Sequence, residues 1–169
     1  MGIGRDGVSL APVTLPLPGI GSGHGSGTAF AELSFVIPSN ETAVVALVEI
    51  ITQAMKMLSW EEDKIARTEL CLQEALLNAH FHGNQGDPHR EIRVRCLLSI
   101  PKIEIHVEDE GPGHAFDVDG CEIANTKTSG RGLFLIRHLM DSVAFNSSGN
   151  HIVMSLIKEP NDGDQRYPG

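Results

Sequence analysis

From Ile92 to Asp109 the chain alternates apolar and polar residues in two runs: Ile92, Val94, Cys96, Leu98 and Ile100, then Ile103, Ile105, Val107 and Asp109, with Pro101-Lys102 between them. Period two sustained on both sides of a turn predicts a β-hairpin with one apolar face, and that face needs a cover. The cover is encoded upstream. Val44, Leu47, Val48, Ile51, Met55 and Leu58 recur at helical spacing after Ser39, predicting an amphipathic helix. A second helix follows at once, with Ser59 and Glu62 as a capping box, and is expected to run to His82, where Gly83 can take the left-handed C-cap conformation. Leu33, Phe35 and Ile37 alternate with Glu32, Ser34 and Val36 as a first strand that stops at Pro38. A third helix over about 130–141 and strands at 143–146 and 152–157, about the turn-like Ser147-Ser148-Gly149-Asn150, complete the order β-α-α-β-β-loop-α-β-β. The simplest packing is an α+β two-layer sandwich, a mixed, mostly antiparallel sheet covered on one face by helices.

With 169 residues and 41% hydrophobic content, one sizeable core is the expectation, in a domain over residues 31–159. Residues 1–30 are rich in glycine, proline and serine and read as a flexible leader; residues 160–169 read as a polar tail. A glycine-rich phosphate cradle in the leader is disfavoured, because there is no GxxxxGK[ST] and no preceding strand. The formal charge of −9 argues against a sequence-independent hold on nucleic acid. The absence of a long apolar run and of a signal-peptide pattern predicts a cytoplasmic protein without a membrane segment. Cys71, Cys96 and Cys121 are odd in number and widely spaced, as expected of reduced thiols.

Three segments carry chemistry. Glu74 and Asn78 lie four apart on the second predicted helix, so they share a face and can converge on one ligand; a solvated polar stripe is the plainer alternative. Asp109 falls by parity on the apolar face of its strand, where a carboxylate needs a hydrogen-bond donor, supplied by a ligand or by backbone NH groups of the following turn. Gly111 and Gly113 after it permit close backbone approach. Gly130-Arg131-Gly132 opens the third helix, whose free NH groups favour a phosphate, with Arg131 able to add a charge-assisted contact. His80, His82 and His89 invite a metal reading, but residues two apart on a helix point in roughly opposite directions. His82, one turn beyond Asn78, either lines a pocket or simply favours the helix end. The stretch 111–129 sustains no period and reads as a long, functional or disordered loop.

In this order, the segment from Glu74 to Asn84, Asp109-Glu110-Gly111-Pro112-Gly113 and Gly130-Arg131-Gly132-Leu133-Phe134 resemble the N box and the two glycine boxes of the GHKL ATPases. More narrowly, they resemble the anti-sigma-factor serine kinases of bacterial partner switching, over about residues 33–159. The resemblance implies the Bergerat ATP-binding fold, with ATP and Mg²⁺ as cofactors. It makes Glu74 the general base, Asn78 the magnesium ligand and Asp109 the acceptor for the adenine amino group. His82, Gly111, Gly113, Gly130, Arg131 and Gly132 are implied as further ATP contacts, with Lys127 in the ATP lid. The chain departs from many relatives of this kind where His114-Ala115 intervenes between Gly113 and Phe116-Asp117, at the lid entrance. The implied activity is phosphorylation of a STAS-domain anti-sigma antagonist, with a sigma factor as second partner and a homodimer as the assembly. A nucleotide-dependent partner-binding module without kinase activity is the alternative.

Overall fold

A computed structural model describes residues 9–10, 30–99, 101–113 and 131–158. Six strands form one sheet in the order β1-β2-β3-β4-β6-β5: β1 (Ser9–Leu10), β2 (Phe30–Pro38), β3 (Glu91–Ser99), β4 (Lys102–Asp109), β5 (Ser142–Phe145) and β6 (His151–Ile157). All five described pairings are antiparallel, the extreme of the mostly antiparallel sheet expected. Three helices, α1 (Glu41–Met57), α2 (Glu62–Asn78) and α3 (Arg131–Leu139), accompany it. Their buried residues form a single core with the inward residues of the strands, giving the α+β two-layer arrangement. No described helix is long and apolar enough to cross a membrane.

The alternation predicted for the hairpin is realised in burial. Ile92, Val94, Cys96 and Leu98 on β3 and Ile103, Ile105 and Val107 on β4 are buried, and the register pairs Ile92 with Asp109. On the helical side Leu47, Ile51, Met55, Leu72 and Leu76 are fully buried. Each such side chain contributes about 1.5–3 kcal/mol by leaving water. α1 starts where Asn40, in extended conformation, accepts the Ala43 NH through its side chain at 2.9 Å, with Glu41 in the first turn favouring the dipole.

Three local expectations are corrected. Ser59 does not cap α2: it adopts φ 54°, the left-handed region, and reverses the chain between α1 and α2, while α2 begins after Glu61 without a side-chain cap. The Ser59 NH bonds the Lys56 carbonyl at 3.0 Å and the Trp60 NH bonds the Met55 carbonyl at 3.1 Å, so Ser59 ends α1 in the left-handed close usually given to glycine, and its carbonyl also accepts from Lys158 Nζ at 2.6 Å. Second, α2 does not continue regularly to His82 with a left-handed Gly83. It gives way after Asn78 to a widened π-helical turn, Ala79–Gly83, closed by Asn84 NH on the Ala79 carbonyl at 2.7 Å; the left-handed residues come later, at Gln85 and Gly86. Such widened turns re-aim the residues that follow and recur at functional sites. Third, two residues of the expected leader are structured: Ser9 pairs with Val36 and Leu10 with Phe35 at the edge of the sheet. Ile100, Cys121, Lys127 and Gly130, and most of the predicted 111–129 loop, lie outside the described residues.

Candidate functional site

A cleft of about 260 Å³ opens between α2, the widened turn, the end of β4 and the turn joining β5 to β6. Asn78, His82, Gly83 and Asp109 line it, with Val107 and Ile152 as apolar floor. Residues far apart in sequence are thereby brought to one cavity.

At one end stands Asp109. Its Oδ1 accepts the Gly111 NH at 2.8 Å, its own NH bonds the Asn150 carbonyl at 3.0 Å, and its carbonyl accepts Asn150 Nδ2 at 3.0 Å. The carboxylate is partly buried and remains at the cleft surface. Gly83 packs directly behind it, so close that a Cβ there would collide with the carboxylate; Gly111 packs equally tightly on the Gly83 carbonyl. Gly113, at φ 75°, lies against the Ser148 carbonyl, seating the β5–β6 turn on the glycine turn. The seat is tied to β3 by Glu110, whose carboxylate takes the Glu91 NH and an Arg93 guanidinium NH, each at 3.0 Å. These two contacts, the backbone one first, hold the Glu110 carboxyl below the usual carboxylate range.

At the other end Asn78 lines the cleft, and Glu74, outside its lining, stands one turn before it on the same face of α2, both partly exposed. Gly132, in the first turn of α3, sits over them: a Cβ at this position would strike Glu74 Oε2 and come within 3.5 Å of Asn78 Nδ2. Glycine here lets the head of α3 approach the pair without displacing the Glu74 carboxylate. No hydrogen bond within the described residues engages the side chain of Glu74 or Asn78, leaving a carboxylate and an amide oxygen available to a ligand. Arg131 is exposed at the first position of α3.

His82 lines the cleft and is exposed, whereas His80 turns into the core and bonds Ser39 Oγ through Nδ1 at 2.9 Å. Among the described residues no group of three His, Cys, Asp or Glu side chains could hold a metal ion. Cys71 is buried, and burial together with the neighbouring Glu74 charge pushes its thiol up to about 11; burial alone raises Cys96 further. Neither is a nucleophile at neutral pH.

Sequence reasoning missed three parts of the site: Gly83 as the backing of Asp109, the buried Asn84 beside it, and the β5–β6 turn as a wall. Asn146 organises that turn, its Oδ1 accepting the Gly149 NH at 2.8 Å and its Nδ2 donating to Asn150 Oδ1 at 2.8 Å. The asparagines and glycines of 146–150 signal a turn in the sequence, but not that it closes a cleft.

Residues 37–156 match the histidine kinase-like ATPase domain family. The chain is similar to an anti-sigma F factor of Oceanobacillus iheyensis, 33% identical over 122 residues that cover 68% of this chain and 77% of that protein. It is also similar to the serine-protein kinase RsbW of Listeria monocytogenes, 30% identical over 105 residues (55% of this chain, 66% of that one), and to RsbW of Bacillus subtilis, 28% over 108 residues (58% and 68%).

Proposed function

Because the chain belongs to the histidine kinase-like ATPase family, in the branch of the anti-sigma factors and their serine kinases, we propose that it binds ATP in the cleft beside Asp109 and transfers a phosphoryl group to a serine. The acceptor in this reading is a STAS-domain anti-sigma antagonist, and the second partner a sigma factor. The names of the relatives support both the anti-sigma and the kinase side. A homodimer belongs to the same proposal and rests on the resemblance.

The observation that carries this reading is that one cleft joins Asn78 to Asp109, with Glu74 beside Asn78 under the head of α3. Asp109 accepts the adenine amino group, and Gly83 and Gly111 let backbone close around its carboxylate. Asn78 offers an amide oxygen, a hard ligand suited to Mg²⁺, which when bound neutralises phosphate charge. The first turn of α3, whose Gly132 lies over Glu74 and Asn78, suits phosphate oxygens as a helix N-terminus, with the exposed Arg131 adding a cation. Glu74 takes the proton from the attacking serine hydroxyl. Phosphoryl transfer needs this kind of positioning and charge stabilisation more than covalent chemistry. His82, Gly113, Lys127 and Gly130 complete the proposed ATP contacts.

The test is incubation with Mg-ATP and the STAS protein encoded nearby, followed by mass spectrometry of its serines. One phosphorylated serine is expected. ATP-dependent capture of a sigma factor or STAS partner without any phosphorylation would contradict the kinase and leave a nucleotide-gated binding module.

A further inference from the structure

Asn84 directly follows the widened turn and is fully buried, an unusual place for an asparagine. Its polar groups are engaged on three sides. The backbone NH closes the turn on Ala79, Nδ2 donates to the Glu91 carbonyl at 3.0 Å, and Oδ1 accepts the Glu110 NH at 2.9 Å. One side chain therefore joins the end of the α2 region to the first residue of β3 and to the residue next to Asp109. A buried amide with these bonds made fixes the separation of the segments it links within hydrogen-bond tolerance.

What it fixes is the seat of the Asp109 carboxylate, which lies between two backbone segments. Gly83 packs against the carboxylate, and Gly111, itself packed on the Gly83 carbonyl, donates its NH to Oδ1. Asn84 is the chain neighbour of Gly83, and its Oδ1 holds Glu110, which stands between Asp109 and Gly111. Both walls of the seat thus run through Asn84, although its own side chain is not among the groups lining the cleft.

We infer that Asn84 is a positioning residue for base recognition, setting the selectivity of the cleft between purines with an amino group and purines with a carbonyl at C6 by holding Asp109 in place. The inference rests on the reading of Asp109 as the adenine acceptor. A buried acceptor rejects a ligand that presents another acceptor only while its position is fixed.

The test is calorimetric binding of ATP and inosine triphosphate to wild type, Asn84→Ala, Asn84→Ser and Asp109→Ala. Wild type should favour ATP by roughly tenfold or more. In Asn84→Ala that preference should fall by about fivefold or more, with the loss confined to ATP, because general loosening would weaken both nucleotides alike. Asn84→Ser keeps a smaller neutral polar group able to hold one of the two bonds, so it should lie between, and it carries the test if the alanine variant does not fold. An unchanged ratio, or equal loss for both nucleotides, in the folded Asn84 variant overturns the inference. Asp109→Ala separates the two failures. If it abolishes the preference while the Asn84 variants keep it, the role of Asn84 alone is wrong; if it too keeps the preference, the reading of Asp109 is wrong and the inference falls with it.

Discussion

At the Asp109 end of the cleft nearly every polar group is engaged by another part of the protein, whereas at the Glu74 end the two polar side chains make no hydrogen bond within the described residues. The first end is a seat: Asn84, Glu110 and Asn150 tie β4 to α2, β3 and the β5–β6 turn, and glycines let backbone close around one carboxylate. The second is an open pair, brought under the head of α3 by Gly132 and making no hydrogen bond among the described residues. A group that must recognise a base gains from being fixed, and a group that must take up a proton or hold an ion needs its lone pairs free. On this account base recognition resides at one end, and ion binding and proton transfer at the other, so substitutions at the two ends should have separable effects.

The largest separation is expected for Glu74→Gln, which keeps size and polarity while removing basicity. Phosphorylation of the STAS serine should fall by roughly a hundredfold or more with ATP affinity almost unchanged. Loss of both would make Glu74 part of the binding seat and erase the contrast. Next is Gly132→Ala. The new Cβ would strike the Glu74 carboxylate, so the transfer rate should fall by about tenfold or more. Thermal stability should hold or rise slightly, since alanine favours the helix by up to about 1 kcal/mol over glycine. A fall in stability that tracks the fall in rate would point to general damage instead. Asn78→Ala should weaken ATP binding far more with Mg²⁺ present than in EDTA; equal losses would mean that the amide acts on the nucleotide or the helix directly.

How much of this was legible in the sequence follows a physical divide. The inward placement of Asp109 follows from strict alternation along β4, and the shared face of Glu74 and Asn78 follows from helical spacing, because both depend on local geometry that survives any packing. The widened turn was not legible. Ala79-His80-Phe81-His82 is compatible with a regular helix, and the extra residue is accommodated by tertiary bonds from Asn84 to β3 and to Glu110, just past β4. Ser59 misled for a local reason: its spacing to Glu62 fits a cap, but it closes the end of α1 instead, in a conformation few serines adopt. β1 has only two residues, too short for any period to show.

The smallest expected effect concerns the open face of the sheet, away from both ends of the cleft. Arg95 donates to Glu32 at 2.6 Å, and Lys102 and His106 donate to Glu104 at 2.6 and 3.0 Å. The Arg95 bond lowers Glu32 below the usual carboxylate range, and Lys102 followed by His106 does the same to Glu104. A depressed carboxylate contributes stability at neutral pH that is lost as pH falls through and below that range. Arg95→Met should therefore be slightly less stable than wild type at neutral pH, as expected for an exposed pair, and the gap should close on acidification. A gap that widens toward acid would contradict the assignment. ATP binding should not respond, because these residues do not line the cleft.

The central claim is that the carboxylate in the seat reads the nucleotide, and titration calorimetry of ATP into wild type and Asp109→Ala tests it most directly. The account predicts a folded variant that has lost about 1–3 kcal/mol of ATP binding free energy, a fall in affinity of roughly five- to 150-fold. Unchanged ATP affinity in a folded Asp109→Ala protein would contradict it.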